Sequence, residues 1–467
     1  MNALLATLVL TQALTATRAQ YEGRFELEAH LRRPHAVATF QARATIVETP
    51  TRVRLDLETW SPNRKRDAQD VETFLLDGER VLHRPDASKP FVEELGLAAS
   101  LARQRVESFL PNRALAAMKV APEVHRESDA VATWNDAVLG ARRLERDPAT
   151  ETVTSLSRSY AHPRLGDVRD EARYSAWETR DGVRIPTAIT VRELEGVNPL
   201  TASPGAFDVH LTEFDAHFDA TAVLALPEAK PVAPAPSPES KEITVEEVEP
   251  GLVSFLAKEE QGRTWTVEFA DHLVAIDAPL SSALGERILA AIHARFPTKP
   301  VRWVLFGHYH PHYTGALRAF LAAGAKVAAP EGCARFAREI AERPFTLEPD
   351  AWARANRTAE IETFTGSRVF EDATRRLEAI DLGAASGHTD EHLLFHLART
   401  KTLLQEDVGW YAGPDGKLRF AAGAKGILDA ITKRGLAVET LRQSWPVDHP
   451  RPSISIAELE AGVRAAK

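Results

Sequence analysis

The segment 301–324 constrains this chain most. VRWVLFG (Val301–Gly307) is an apolar run of strand length, HYHPHYTG (His308–Gly315) is a polar turn, and ALRAFLAAG (Ala316–Gly324) has helical spacing. A buried strand feeding directly into a helix predicts α/β layers, because a strand apolar on both faces needs cover on both sides. The neighbouring segments agree. LVSFLAK, TWTVEFA and HLVAIDAP read as strands, LSSALGERILAAIHARF (Leu280–Phe296) as a helix, and KVAAP as a short strand. HLLFHLARTKTLLQED (His392–Asp407) reads as a hairpin, followed by the helix GILDAITKRG.

The first half follows other rules. RFELEAHL and RVRLDLETW alternate charged and apolar residues, as strands with one wet face do. FLLDGERVLHR and YSAWETRDGVRIPTAITVRE are predicted hairpins turning at Asp77-Gly78 and Asp181-Gly182. VEELGLAASLARQRVESFL (Val92–Leu110) has helical spacing. The prediction is one antiparallel β-rich meander, over 20–225, curved around a helix or two. Its strand pattern loosely resembles periplasmic lipoprotein-carrier domains. That resemblance implies a concave face for an apolar ligand, where core is the plainer expectation.

Between the halves, LPEAKPVAPAPSPESKE (226–242) is rich in Pro, Ala and Ser and reads as a semi-rigid linker. The second domain is expected over 243–467. At the other end, residues 1–19 are expected to be a signal peptide. An apolar run from Ala3 to Leu14 leads to Thr17 and Ala19, placed like a processing site before Gln20, although the usual basic start is missing. The expectation is a periplasmic or secreted protein. No later segment is apolar enough to span a membrane.

Composition narrows the chemistry. The formal charge of −9 argues against a dedicated nucleic-acid binder, and a single cysteine, Cys333, rules out an intramolecular disulfide and a cysteine zinc cluster. Sixteen histidines remain for metal work, nine of them after residue 270. His308, His310 and His312 share one face of an extended turn at the carboxyl edge of a strand, where ligand sites on open α/β sheets form. Imidazole nitrogens there suit Zn, Fe, Ni or Cu.

Residues 251–467 resemble the metallo-β-lactamase-fold hydrolases, whose HxHxDHxG signature reads HYHPHYTG here. LVAIDAP resembles that family's strand ending in Asp, at Asp277. GAASGHTDEHLLFHL resembles its GHT turn, KTLLQEDVGW its LFxGD strand, and SWPVDHPRPSIS its PGHG turn. The resemblance implies an αββα sandwich. It implies a first metal site of His308, His310 and His388, a bridging Asp407 and a last ligand His449. Two second-site positions depart from the pattern: His312 stands for Asp and Tyr313 for His. His312 is placed to substitute as a nitrogen ligand, and Tyr313 either ligates as phenolate or donates a hydrogen bond. Glu406 replaces the Gly before the bridging Asp.

The function implied is a metal-dependent hydrolase that uses a metal-bound water on a small ester, amide, thioester or phosphate substrate. Asp407 and Tyr313 are its catalytic residues. Zn2+ is the expected cofactor, one ion tight and a second weak or absent, with Fe as the alternative. The alternatives are a mononuclear iron or zinc enzyme of other chemistry, such as thiol dioxygenation, or a degenerate binding protein. His392 and His396 are expected in surface or core hydrogen-bonding roles, His272 and His293 on the surface, and Cys333 as structural. The sequence leaves the oligomeric state open.

Overall fold

A computed structural model describes residues 15–28, 32–62, 71–121, 123–136, 140–195, 201–232, 242–412 and 417–465. The alternating strands of the first half form one fourteen-stranded sheet. Thr15–Glu28 runs through it, antiparallel to Val37–Glu48 on one side and Ser203–Asp219 on the other. Period-two alternation explains its faces. Val53, Leu55 and Leu57 are buried, while Arg52, Arg54 and Asp56 point to the wetter side. The two predicted turns close hairpins, with Gly78, Asp181 and Gly182 all in the left-handed region such turns require.

Two details differ from the sequence expectation. Val92–Glu94 is a strand, so the expected helix begins only at Gly96 and ends at Glu107. A second helix, Pro111–Val120, follows, started by proline at its first turn. Together with the loop between them, the helices bring Val106, Phe109, Leu110, Ala114 and Met118 against Tyr21, Phe25 and Phe207 of the sheet.

Thr17 and Ala19, the expected processing site, lie inside the Thr15–Glu28 strand, and residues 1–14 lie outside the described residues. The expected linker is not wholly free of the fold. Lys230–Pro231 pairs in parallel with Val92–Glu93, and 233–241 lie outside the described residues.

The second half is a four-layer α/β sandwich. A seven-stranded sheet runs from Thr244–Glu249 to Ile361–Thr363, and a six-stranded sheet from Ser367–Glu371 to Ser453–Ser455. Their inner faces meet through Trp265, Val267, Ile276 and Leu305 on one side and Phe370, Leu393, Phe395 and Leu404 on the other. Helices Ser282–Arg295, Leu317–Ala322 and Glu331–Glu342 cover the first sheet, while Gly423–Arg434 and Ile456–Ala465 cover the second. Leu273–Ile276, Val301–Leu305 and Lys326–Ala329 are parallel neighbours with mostly buried residues, as their continuous apolar runs predict.

The two halves are in contact. Asp167 accepts hydrogen bonds from the backbone of Thr346 and Leu347 at 2.9 and 3.0 Å, and its own N–H donates to Pro344 O at 2.8 Å. Arg33 pairs with Asp390, whose N–H donates to Arg32 O at 2.8 Å. A loop of the first sheet thus braces the turn that carries His388. Among the described residues no helix is long and apolar enough to cross a membrane.

Candidate metal centre

The centre forms where the parallel strand Val301–Leu305 ends. Pro311 turns the chain into the short helix Pro311–Thr314, and Thr314 Oγ1 donates to Tyr309 O and His310 O, fixing the loop. The expected alternation holds only for the first pair: His308 and His310 share one side and Tyr309 turns toward Phe336, with ring centroids 5.8 Å apart, but the chain is helical from Pro311 and His312 packs on Trp445 instead. From the facing sheet, the turn before Leu393–Leu397 supplies His388. Ser386 Oγ shapes that turn, accepting from the N–H groups of His388 and Thr389 at 3.1 Å and donating to Thr389 O at 2.7 Å.

Three ring nitrogens converge. His308 Nε2 lies 2.9 Å from His310 Nδ1, and His388 Nε2 lies 3.2 Å from the same atom. His308 is fully buried, while the His388 side chain is 37% exposed, so the centre opens to solvent on the His388 side. Burial, with His310, His392, His388 and His312 around it, holds the His308 pKa well below the ordinary value. It is therefore a neutral imidazole, the form that ligates metals.

Asp407 is the nearest carboxylate, its Oδ2 being 3.9 Å from His388 Nε2. Burial raises its pKa, with His388 and Tyr313 working in the opposite direction. The Tyr313 hydroxyl is buried beside it. Burial first, then the charges of Asp407, Glu406 and Asp277, push Tyr313 well above its ordinary pKa. It is a neutral phenol in this structure.

The remaining predicted residues are less gathered. Ligand atoms of His308, His310 and His388 lie within 4.8 Å of one another, as do those of His308, His392 and Asp407. His312 and His449 belong to neither group. His312 packs its ring against Trp445 at 4.7 Å, and His449 Nδ1 accepts the N–H of Arg451 at 2.9 Å, leaving a buried Nε2 without a partner.

His392 is the residue that sequence reasoning undervalued. It is fully buried, stacks on His308 at 4.9 Å, and its Nε2 sits 3.4 Å from Gln405 O. Burial pushes its pKa down to about 3. Its period-two spacing with His396, soon after His388, was the available signal. His396 hydrogen-bonds Ala437 O at 3.0 Å, a core role. His272 corrects the surface expectation, being buried and stacked on Phe269. Asp448 is exposed, and Trp410 is core, its indole N–H donating to Arg451 O. Cys333 is buried, its pKa pushed well up by burial and by Glu391, so it is a structural thiol.

Behind the centre lies a second departure. Glu406 occupies a left-handed backbone position, φ +67°, which favours glycine. Its side chain lies so close to Gly307 that a Cβ there would meet Glu406 Cγ at 2.1 Å. Glu406 and Asp277 form a buried carboxyl pair, each raised by burial, with Asp277's charge raising Glu406 further. Asp277 Oδ1 accepts the Gly307 N–H at 3.2 Å, tying the pair to the histidine loop.

No family model and no curated protein matches the chain. Among solved structures, it is similar to a metallo-beta-lactamase from Pontibacter korlensis at 15% identity and TM-score 0.35, covering 48% of this chain and 98% of that one. It is similar to a metallo-beta-lactamase from Pseudomonas aeruginosa in its mono-zinc form at 15% identity and TM-score 0.34, covering 49% and 96%. It is also similar to a stereoselective inverting sec-alkylsulfatase from Pseudomonas sp. at 17% identity and TM-score 0.34, covering 48% and 40%.

Proposed function

We propose that the chain is a metal-dependent hydrolase of the metallo-β-lactamase fold whose tight cation site is His308, His310 and His388. The observation that carries this reading is the meeting of three ring nitrogens at 2.9 and 3.2 Å in a partly buried place. His310 Nδ1 faces two other ring nitrogens, and a single ring nitrogen carries either one proton or one lone pair, so it cannot make a full hydrogen bond to both. The buried His308 Nδ1 has no hydrogen-bond partner either. A cation satisfies the converging nitrogens, and three imidazoles with one open side are the donor set of a catalytic zinc site. When bound, such an ion supplies Lewis acidity and lowers the pKa of a water to about 7.

The protein's own groups do the rest. Asp407 orients the attacking water from beside His388 and takes its proton. The neutral Tyr313 phenol donates to Asp407 or to the oxygen on which charge develops. The open side at His388 admits the substrate, a small ester, amide, thioester or phosphate. His312, Asp407 and His449 are the ligands of a second, weaker cation. The division into domains at 226–242 and an exported location belong to the same reading, whereas the leader expected over 1–19 conflicts with the pairing of Thr15–Ala19 inside the first sheet.

Elemental analysis of purified protein, with a panel of ester, lactone, phosphodiester and β-lactam substrates, tests it. Bound zinc and chelator-sensitive hydrolysis support the reading. One iron with oxygen-dependent turnover replaces it with oxidative chemistry, and no metal at all replaces it with a binding role.

A further inference from the structure

The helix Gly96–Glu107 does not fill the sheet face it covers. Ala98, Leu101, Ala102 and Arg105 recur at helical spacing on the side facing Phe25, Phe74 and Phe207, and a cavity of about 770 Å³ lies between. That volume is in the range of small-molecule sites, roughly 300–1,000 Å³. Gln104 is among the lining residues, and its Oε1 is buried without a hydrogen-bond partner.

Leu101, which lines the cavity, belongs to an exposed apolar stretch at the start of the helix. Leu97 is 55% exposed, Leu95 41% and Leu101 37%. They are three of the nine large hydrophobics exposed among the described residues, and they fall within seven positions of one another. Exposed leucines on and just before the helix that covers the cavity, one of them lining it, mark an apolar docking site.

The wall is acidic. Arg158 and Asp170 cancel as an ion pair at 2.6 Å. Of the rest, Glu72, Asp86, Glu94 and Glu193 outnumber Arg105 and His83. Each cation is shared between two acids. Arg105 lies 3.8 Å from Glu72 and 3.6 Å from Glu193, and His83 lies 3.0 Å from both Glu72 and Glu94. The excess is negative, and it surrounds an aromatic floor on which cations rest favourably. The Arg105 guanidinium already sits 5.7 Å from the Phe207 ring centre.

We propose that this cavity binds a cationic amphiphile, its apolar body between the 96–107 helix and the phenylalanine floor and its positive head among the glutamates. The metal centre takes no part, so this site and the hydrolase reading stand or fall separately.

Calorimetry on the full chain tests the proposal with three dodecyl probes below their micelle concentrations: dodecyltrimethylammonium, dodecyl maltoside and dodecyl sulfate. The ammonium should bind one to one and tighter than the sulfate by about tenfold or more, and salt should narrow the gap. Glu94→Gln should weaken the ammonium and spare the maltoside. Ala102→Trp should block all three by filling the cavity. Leu101→Lys, at an exposed position that does not threaten folding, should weaken the ammonium selectively. Equal or tighter binding of the sulfate, absence of saturable binding, or ammonium binding unchanged in Leu101→Lys would each overturn the proposal.

Discussion

His83 and His308 are both withdrawn from water, one on the wall of the N-terminal cavity and the other between the sheets of the sandwich. Burial disfavours the imidazolium at each. At His83, Glu72 and Glu94 hold the two ring nitrogens at 3.0 Å and outweigh burial, so the pKa rises. At His308 the neighbouring imidazoles reinforce burial, and the pKa falls. The neighbours, more than the degree of burial, decide what a buried histidine is for. Carboxylates on both sides make it an ion bridge; imidazoles on both sides make it a ligand short of a cation.

The contrast breaks most visibly at the metal. His310→Ala should remove the tight cation and reduce turnover by more than about 100-fold, whereas His83→Gln should leave metal content unchanged. Metal analysis of the two purified variants checks this. Asp407→Asn should come next. It keeps the three imidazoles but loses the proton acceptor, so kcat should fall by about 100-fold with the tight cation retained. Steady-state kinetics beside metal stoichiometry separates this role from ligation.

A smaller effect sharpens the comparison within the centre. His312 and neutral Tyr313 add no negative charge, so two adjacent cations would repel with only Asp407 to compensate. His312→Asp with Tyr313→His should raise affinity for a second cation by about tenfold, read by zinc titration. The smallest effect belongs to His83. Its folded pKa lies above the unfolded value of about 6.5. Its bridge therefore contributes fully below that value and is lost as pH rises through the folded pKa. The stability difference between the parent and His83→Gln, less than about 1 kcal/mol for a partly solvated bridge, should shrink as pH rises from about 5.5 to about 8.5. Denaturant titrations across that range measure it.

The physical reasons for what the sequence revealed are specific. Strand alternation and Asp-Gly turns made the first sheet readable because they are local signals. The continuous apolar run at Val301 and the polar turn after it exposed the sandwich and its histidine loop for the same reason. What stayed hidden depends on distance. Nothing local says that Val92–Glu94 pairs with Arg80–Arg84 rather than opening a helix. Nothing near residue 33 says that it reaches Asp390. His392 looks like any strand histidine until the fold stacks it on His308. The substitution at Glu406 was visible as a residue, but its left-handed backbone and its contact with Gly307 were not.

The central claim is that His308, His310 and His388 form a tight cation site. Titrating metal-free protein with zinc against a chromophoric chelator, with His388→Ala in parallel, tests it most directly. The account predicts one tight equivalent in the parent, a weaker second, and loss of the tight one in the variant. A parent that binds no tight zinc, or a variant that binds it as tightly as the parent, would contradict it.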